Sequence, residues 1–200
     1  MIPGVILAAG LSSRMGRSKA LLPTSPGGPT FVRQLASSLL DGGVVDVLVV
    51  ARPEDTALRT EVESLGTEVR LVINADADRG QLSSVITGLN AADHPGVHGV
   101  LMTPVDMPFV KPGTVRELLT AFASRHALLL RATYRGRHGH PIIFGRRIFD
   151  ELRHADPEVG AKAVAKTHAH EGIDFDVDDP AVLHDIDNPD DYARVFNRSI

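Results

Sequence analysis

Continuous runs of aliphatic, largely β-branched residues recur along the chain at 2–8, 44–51, 69–73, 97–103 and 128–133. They do not alternate with polar residues and are bounded by Gly, Pro or Asp, which is the pattern of strands covered on both faces. Between them the apolar period lengthens to that of a helix. Phe31, Val32, Leu35, Leu39 and Leu40 form one stripe behind Thr30, a candidate N-cap, with Gly42 where a helix would stop. Leu82, Val85, Ile86 and Leu89 repeat the spacing, as do Val115, Leu118, Leu119 and Phe122 behind Pro112. Strand and helix in alternation predict right-handed crossovers and an α/β fold of three layers, α/β/α, around a mostly parallel twisted sheet. No internal repeat or low-complexity linker interrupts the pattern, so one domain over residues 1–200 is expected. Pro26-Gly27-Gly28-Pro29 is a turn signal and an exposed loop, not a boundary.

Composition narrows the class. With 43% hydrophobic and 23% charged residues, 200 residues suffice to bury about 70% of the unfolded surface. Without cysteine there can be neither a disulfide framework nor a thiolate metal site, and a reducing cytoplasm is the expected compartment. The opening MIPGVILAAG has no basic leader and is soon interrupted, which argues against a secretory signal. No window reaches the ~18 apolar residues of a membrane span. A net charge of −4 argues against nucleic acid as a partner.

The distribution of charge says more than its sum. Residues 1–40 contain no acid and four cations, Arg14, Arg17, Lys19 and Arg33, whereas 171–191 contain nine acids and no Lys or Arg. Three of those cations sit in the loop after the first strand, where an α/β sheet binds ligands, and Gly/Ser backbone amides entering a helix there can point at phosphate oxygens. The loop is not a Walker A motif, because Gly16 is followed by Arg17 and Lys19 by Ala20. Nor is it a dinucleotide fingerprint, because Leu11-Ser12 stands where x-Gly is required. A tight turn carrying surface cations is the plain alternative. Of the acids, 174–179 read as a solvated strand and turn. The i, i+2 pairs His138/His140 and His168/His170 have no obvious third ligand, which argues against a transition-metal site.

LAAGLSSRMGRSKALLP at 7–23 resembles the opening motif of the nucleotidyltransferase superfamily, in particular its MobA-like members and among them the molybdenum cofactor cytidylyltransferases (MocA-like). GQLSSVITGL at 80–89, TPVDMP at 103–108, GRHGHPIIF at 136–144 and DIDNPDDY at 185–192 resemble further segments of the family in the same order. The resemblance implies a nucleotide-diphospho-sugar transferase-like fold and transfer of a nucleoside monophosphate from an NTP to an acceptor phosphate, with release of pyrophosphate. The attacking oxygen is already anionic, so such a reaction needs charge neutralisation and in-line positioning more than a base.

By the same resemblance, Arg14 and Lys19 contact the triphosphate, within a cradle of Leu7, Ala8, Ala9, Gly10, Ser12 and Ser13. Gly80 permits close approach of backbone, and Ser83 and Ser84 either cap the next helix or touch base and ribose. Asp106 holds Mg²⁺, the expected cofactor, with a second carboxylate from Asp187 or Asp185, two residues apart and on one face if extended. His140 is the candidate contact to the acceptor. Leu-Ala-Ala-Gly, where guanylyl-transferring relatives usually read Leu-Ala-Gly-Gly, favours CTP. The expected reaction is CMP transfer from CTP to the terminal phosphate of molybdopterin. Two alternatives are the same chemistry with another NTP or phosphorylated acceptor, and a nucleotide-responsive maturation partner with little turnover. A molybdoenzyme or its maturation chaperone is the expected protein partner.

Overall fold

In the computed structural model, residues 1–11 and 15–196 are described. They form a seven-stranded sheet: β1 (Gly4–Leu7), β2 (Val47–Ala51), β3 (Val69–Ile73), β4 (Gly99–Pro104), β5 (Leu129–Tyr134), β6 (Arg137–Gly145) and β7 (Ile173–Asp176). Their order across the sheet is β3-β2-β1-β4-β6-β5-β7, and only β6 runs against its neighbours. Side chains alternate across it: Ile6, Leu101 and Leu130 join one core, while Val5, Val100 and Leu129 join the other. Helices α1 (Phe31–Asp41), α2 (Thr56–Glu63), α4 (Pro112–Arg125) and α7 (Pro189–Phe196) contribute to the first core, and α3 (Gln81–Ala92), α5 (Phe149–Arg153) and α6 (Ala161–Thr167) to the second. The expected three-layer fold is therefore present.

Local chemistry explains the helix limits. The Thr30 hydroxyl accepts the Arg33 backbone N–H at 3.3 Å and opens α1. Gly42 is its C-cap, and a Cβ there would stand 2.5 Å from Val115 of α4, so the close approach of the two helices at this point requires a glycine. Pro112 occupies the first turn of α4, whose own end is set by His126 in the left-handed conformation. Tyr192 of α7 is buried beside Phe31 and donates its hydroxyl to the Pro23 carbonyl at 2.8 Å, which fixes the C-terminal segment to the loop that leaves the N-terminal motif. The Pro-Gly-Gly-Pro stretch is an exposed excursion closed by pairing of Pro23 with Thr30.

One strand was not foreseen, and one expectation needs correcting. The segment 137–145 is a strand that the apolar pattern did not announce, and it reverses direction after Tyr134 through the two-residue turn Arg135-Gly136, both at positive φ. The acids at 174–179 do form a strand and turn, and Asp174, Asp176 and Asp178 are exposed, but Asp179 is not solvated. Its carboxylate accepts from the backbone N–H of Lys111 and the Thr114 hydroxyl, at 3.0 and 2.8 Å, and from Ala181 N–H at 3.2 Å. Three donors compensate for its burial, and it joins α4 to the β7 turn.

Chain connections run outward from β1 to β2 and β3, then return to place β4 on the other side of β1. That change of direction opens a crevice beyond the carboxyl ends of β1 and β4.

Candidate active site

The crevice is a cavity of about 490 Å³. Residues 7–11 form one wall, with Ala8 N–H bonded to the Val50 carbonyl and Val105 N–H to the Leu7 carbonyl, so the loop is held by both flanking strands. Leu7, Ala8, Ala9 and Gly10 all line the cavity; Ser12, Ser13 and Arg14 lie outside the described residues. The opposite wall is the start of α3, where Gly80, Gln81 and Ser84 face the space. Gly80 takes φ +95°, open to a residue without Cβ, and this lets the chain turn directly into the helix.

Lys19 reaches the floor from a short 3-10 turn, and its ammonium lies 3.0 Å from Asp106 Oδ2 and 2.6 Å from Asp187 Oδ1. Burial works against the Lys19 charge, but the hydrogen bond to Asp187 and the charge of Asp106 outweigh it, and its pKa is raised. Asp106 follows β4 directly. Asp187 arrives from the far end of the chain because Ile186 is buried and donates its N–H to the Asp106 carbonyl at 3.0 Å. The other oxygen of Asp106, Oδ1, is buried without a hydrogen-bond partner among the described residues. Asp185 is exposed and lies toward His140, and among the described residues no three acidic or histidine side chains converge, so Asp106, Asp187 and Asp185 are not one cluster.

The sequence reading missed Arg52 and Asn74. Arg52 directly follows β2, at the same carboxyl edge of the sheet as the loop after β1, and position was the one signal it offered. Its guanidinium donates to Glu54 at 2.6 Å, to Asp78 and to the Ala9 carbonyl at 3.4 Å, tying the loop to the segment before α3. Asn74 follows β3 and is 2% exposed. Its Nδ2 donates to the Ser83 and Ser84 hydroxyls at 2.9 and 3.0 Å, and its Oδ1 accepts the Asp76 N–H at 3.0 Å. Ser83 in turn donates to the carbonyl of Gly80, the N-cap residue of α3, at 2.8 Å, and Ser84 lines the cavity.

A second cavity of about 800 Å³ adjoins the first, sharing Leu7 and Gln81. Strand β6 and helix α6 line it through His138, His140, Lys162 and Lys166, together with Arg131 of β5. Gly139 is required there, because a Cβ would collide with the Val182 carbonyl. Burial lowers the His140 pKa despite the Met102 carbonyl and the charges of Asp106 and Asp185, which keeps the ring neutral near pH 7. Its Nδ1 is buried and without a partner among the described residues. His138 and Arg131 both bond Asp174, at 3.1 and 2.8 Å. His168 lies apart, bridging Glu151 and Glu171 at 2.7 and 3.2 Å.

Residues 4–172 match the MobA-like NTP transferase domain. The chain is 29% identical to purine catabolism protein PucB of Bacillus subtilis over 96% of its own length and 94% of that protein's. It is 35% identical to nicotine blue oxidoreductase of Paenarthrobacter nicotinovorans, covering 71% of this chain and 70% of that one. A probable molybdenum cofactor guanylyltransferase of Mycobacterium tuberculosis is 33% identical, over 58% of this chain and 54% of that protein. The crystal structure of Rv0371c from M. tuberculosis superposes with a TM-score of 0.82 at 27% identity, each chain covered to 99%, and a manganese complex of Rv0371c superposes at 0.75, at 28% identity and 98% coverage of both chains. The loop that lines the crevice, the cation between two carboxylates and the family match over most of the chain agree: this chain belongs to the MobA-like NTP transferase family and is a nucleotidyltransferase.

Proposed function

We propose that this nucleotidyltransferase transfers CMP from CTP to the terminal phosphate of a molybdopterin-type acceptor and releases pyrophosphate. The observation that carries the reading is the position of the Lys19 ammonium between Asp106 and Asp187, at the floor of a nucleotide-sized crevice that adjoins a second, cation-lined cavity. Two substrates can then lie on either side of the Leu7–Gln81 wall with their reacting phosphates meeting near Lys19. An acceptor phosphate oxygen attacks the α-phosphorus, the bond to the β-phosphate bridging oxygen breaks, and pyrophosphate carries away the electron pair.

Within this scheme Lys19 leaves its carboxylate partners to neutralise charge growing on the α-phosphoryl oxygens, and the amides of residues 9–11 orient the phosphates. Arg14 joins Lys19 on the triphosphate. His140, neutral and with a buried unpartnered nitrogen, receives the acceptor, and Lys162, Lys166 and Arg131 balance its charge. Asp106 and Asp187 fit a divalent cation: they are hard oxygen donors, and Oδ1 of Asp106 is a buried acceptor with nothing bonded to it among the described residues. Mg²⁺ bound there would supply Lewis-acid neutralisation of the phosphates. The manganese complex of the similar Rv0371c supports a divalent metal of this type.

Cytosine is supported by the loop. Ala9, where guanylyl-transferring relatives usually carry glycine, is 5% exposed, packs with Leu82 and Val85 and lines the crevice, so its methyl narrows the space available to a base. The relatives named guanylyltransferases support a second reading with GTP. A molybdoenzyme or its maturation chaperone would take the product, and the reaction is assigned to the cytoplasm; no described helix is long and apolar enough to cross a membrane. A thermal-shift panel of CTP, GTP, ATP and UTP with and without Mg²⁺ tests the reading. CTP with Mg²⁺ at about 100 times its Kd adds about 2.7 kcal/mol, or roughly 5–10 °C in Tm for a chain of this length. A larger shift with GTP assigns the guanylyl reaction, and no shift with any of the four removes the nucleotidyl reading.

A further inference from the structure

The hydrogen-bond polarity of Ser84 is fixed by a residue that never reaches the crevice. An amide side chain can ordinarily be turned either way, but Asn74 cannot: the Asp76 backbone N–H is always a donor, so the group it meets at 3.0 Å must be Oδ1. The two hydrogens of Nδ2 therefore point to Ser83 and Ser84, at 2.9 and 3.0 Å, and both hydroxyl oxygens act there as acceptors. Ser83 spends its own proton on the Gly80 carbonyl at 2.8 Å. Ser84 lies 6% exposed on the crevice wall, and its proton meets no acceptor among the described residues.

We infer that Asn74 is a positioning residue for nucleotide choice: by occupying the acceptor side of Ser84 it makes that hydroxyl a donor toward the crevice, selecting a base that offers an acceptor atom there. Cytosine offers O2 and N3, adjacent acceptors on one edge. Guanine placed in the same way offers the N1 and N2 hydrogens at those two positions, its one acceptor on that edge, O6, standing instead where cytosine has its amino group. A hydroxyl donating there leaves those hydrogens unpaired in a nearly dry wall, the situation that discriminates strongly between substrates. The inference rests on the nucleotide lying in this crevice, as proposed above.

Asn74→Asp tests it with no change of size. The aspartate still accepts from Asp76, but its second oxygen now takes the Ser84 proton, and Ser84 turns lone pairs to the crevice. The assay is pyrophosphate release with CTP and with GTP, read as kcat and KM separately. The CTP-to-GTP ratio of kcat/KM in Asn74→Asp should fall at least tenfold below wild type, mainly through KM for CTP. Ser84→Ala should lower the same ratio, and the double variant should add little, because both changes remove one donor. A ratio within threefold of wild type in both single variants overturns the inference, including the case in which turnover of both nucleotides falls alike, which is what a merely structural Asn74 would give. If Asn74→Asp does not fold, the ratio in Ser84→Ala decides. The wild-type ratio reports separately on the CTP reading, so failure of one is distinguishable from failure of the other.

Discussion

Replacing Lys19 by Met keeps the aliphatic stem and removes only the ammonium. In the wild type that charge faces two carboxylates, at 2.6 and 3.0 Å, and the three side chains are 11% (Lys19), 19% (Asp106) and 33% (Asp187) exposed. Each contact has a gross Coulombic energy of about 6 kcal/mol at an effective dielectric near 20, most of it cancelled by desolvation. Loss of a buried partner typically costs 3–5 kcal/mol, and the exposure of Asp187 reduces that here to about 1–3 kcal/mol. Two carboxylates are then left facing each other across the vacated position. A divalent cation relieves that repulsion, so the variant should melt roughly 3–10 °C below wild type without metal and recover most of the loss in millimolar Mg²⁺ or Mn²⁺ in the absence of nucleotide. Wild type, whose carboxylates already hold a cation, should respond far less. Turnover does not recover, because the charge at the α-phosphorus is missing: kcat should stay down by ~10²–10³. Differential scanning fluorimetry against metal concentration, beside pyrophosphate release, reads both halves. Wild-type kcat in Lys19→Met, or a melting temperature as indifferent to metal as that of wild type, would refute the reasoning.

Asp106→Asn and Asp187→Asn should each lower metal-dependent activity by at least ~10²-fold with little further loss in the double variant, while Asp185→Asn, exposed and apart, should titrate with Mg²⁺ like wild type; the reverse order for Asp185 and Asp187 would move the ligand two residues upstream. His168 meets a carboxylate at each ring nitrogen, which requires both to be donors, and its pKa is raised, first by Glu151 and against burial. A raised folded-state pKa gives stability that is complete below the ordinary histidine value near 6.5 and lost as pH rises through the folded value. His168→Gln should therefore lie furthest below wild type in urea melts at about pH 5.5 and approach it above pH 8; a gap that widens with pH would contradict the bridge.

The five aliphatic runs announced five strands, four of them because a strand covered on both faces has no polar side to disguise it, and β3, a half-exposed edge strand, because one of its exposed positions is still the aliphatic Ile73. β6 escaped since it opens Arg-His-Gly-His-Pro and shows apolar residues only afterwards; its clue was the Arg-Gly pair ahead of it, a turn signal weaker than Asn-Gly. Helices α2, α6 and α7 bury only one or two side chains each (Leu58 and Val62; Val164 and Ala165; Tyr192), too few for a period to emerge. At the crevice, cations after β1 were visible as a charge pattern, and the resemblance implied that Lys19 and an acid at 185 or 187 serve one site, but that Lys19 and Asp187 touch was not legible, because nothing local records a contact made by docking Ile186 on Asp106. Arg52 and Asn74 are single polar residues at strand ends, without a motif, and their importance lies in which backbone group each one meets. Asp179 shows the converse: amid exposed acids, only its three donors distinguish it.

The wall of Leu7 and Gln81 between the two cavities also divides the chain's text. Apart from Asp187, the crevice is lined by residues no later than Asp106, whereas the second cavity draws mainly on positions from Arg131 to Ala169. If the crevice takes the nucleotide and the second cavity the acceptor, as proposed, a lineage can rewrite β5, β6 and α6 to suit a new acceptor while leaving the other half untouched, and a grafted stretch between the end of α4 and the start of β7 would carry one enzyme's acceptor choice into another. Such a fold lends itself to divergence by replacing one partner at a time.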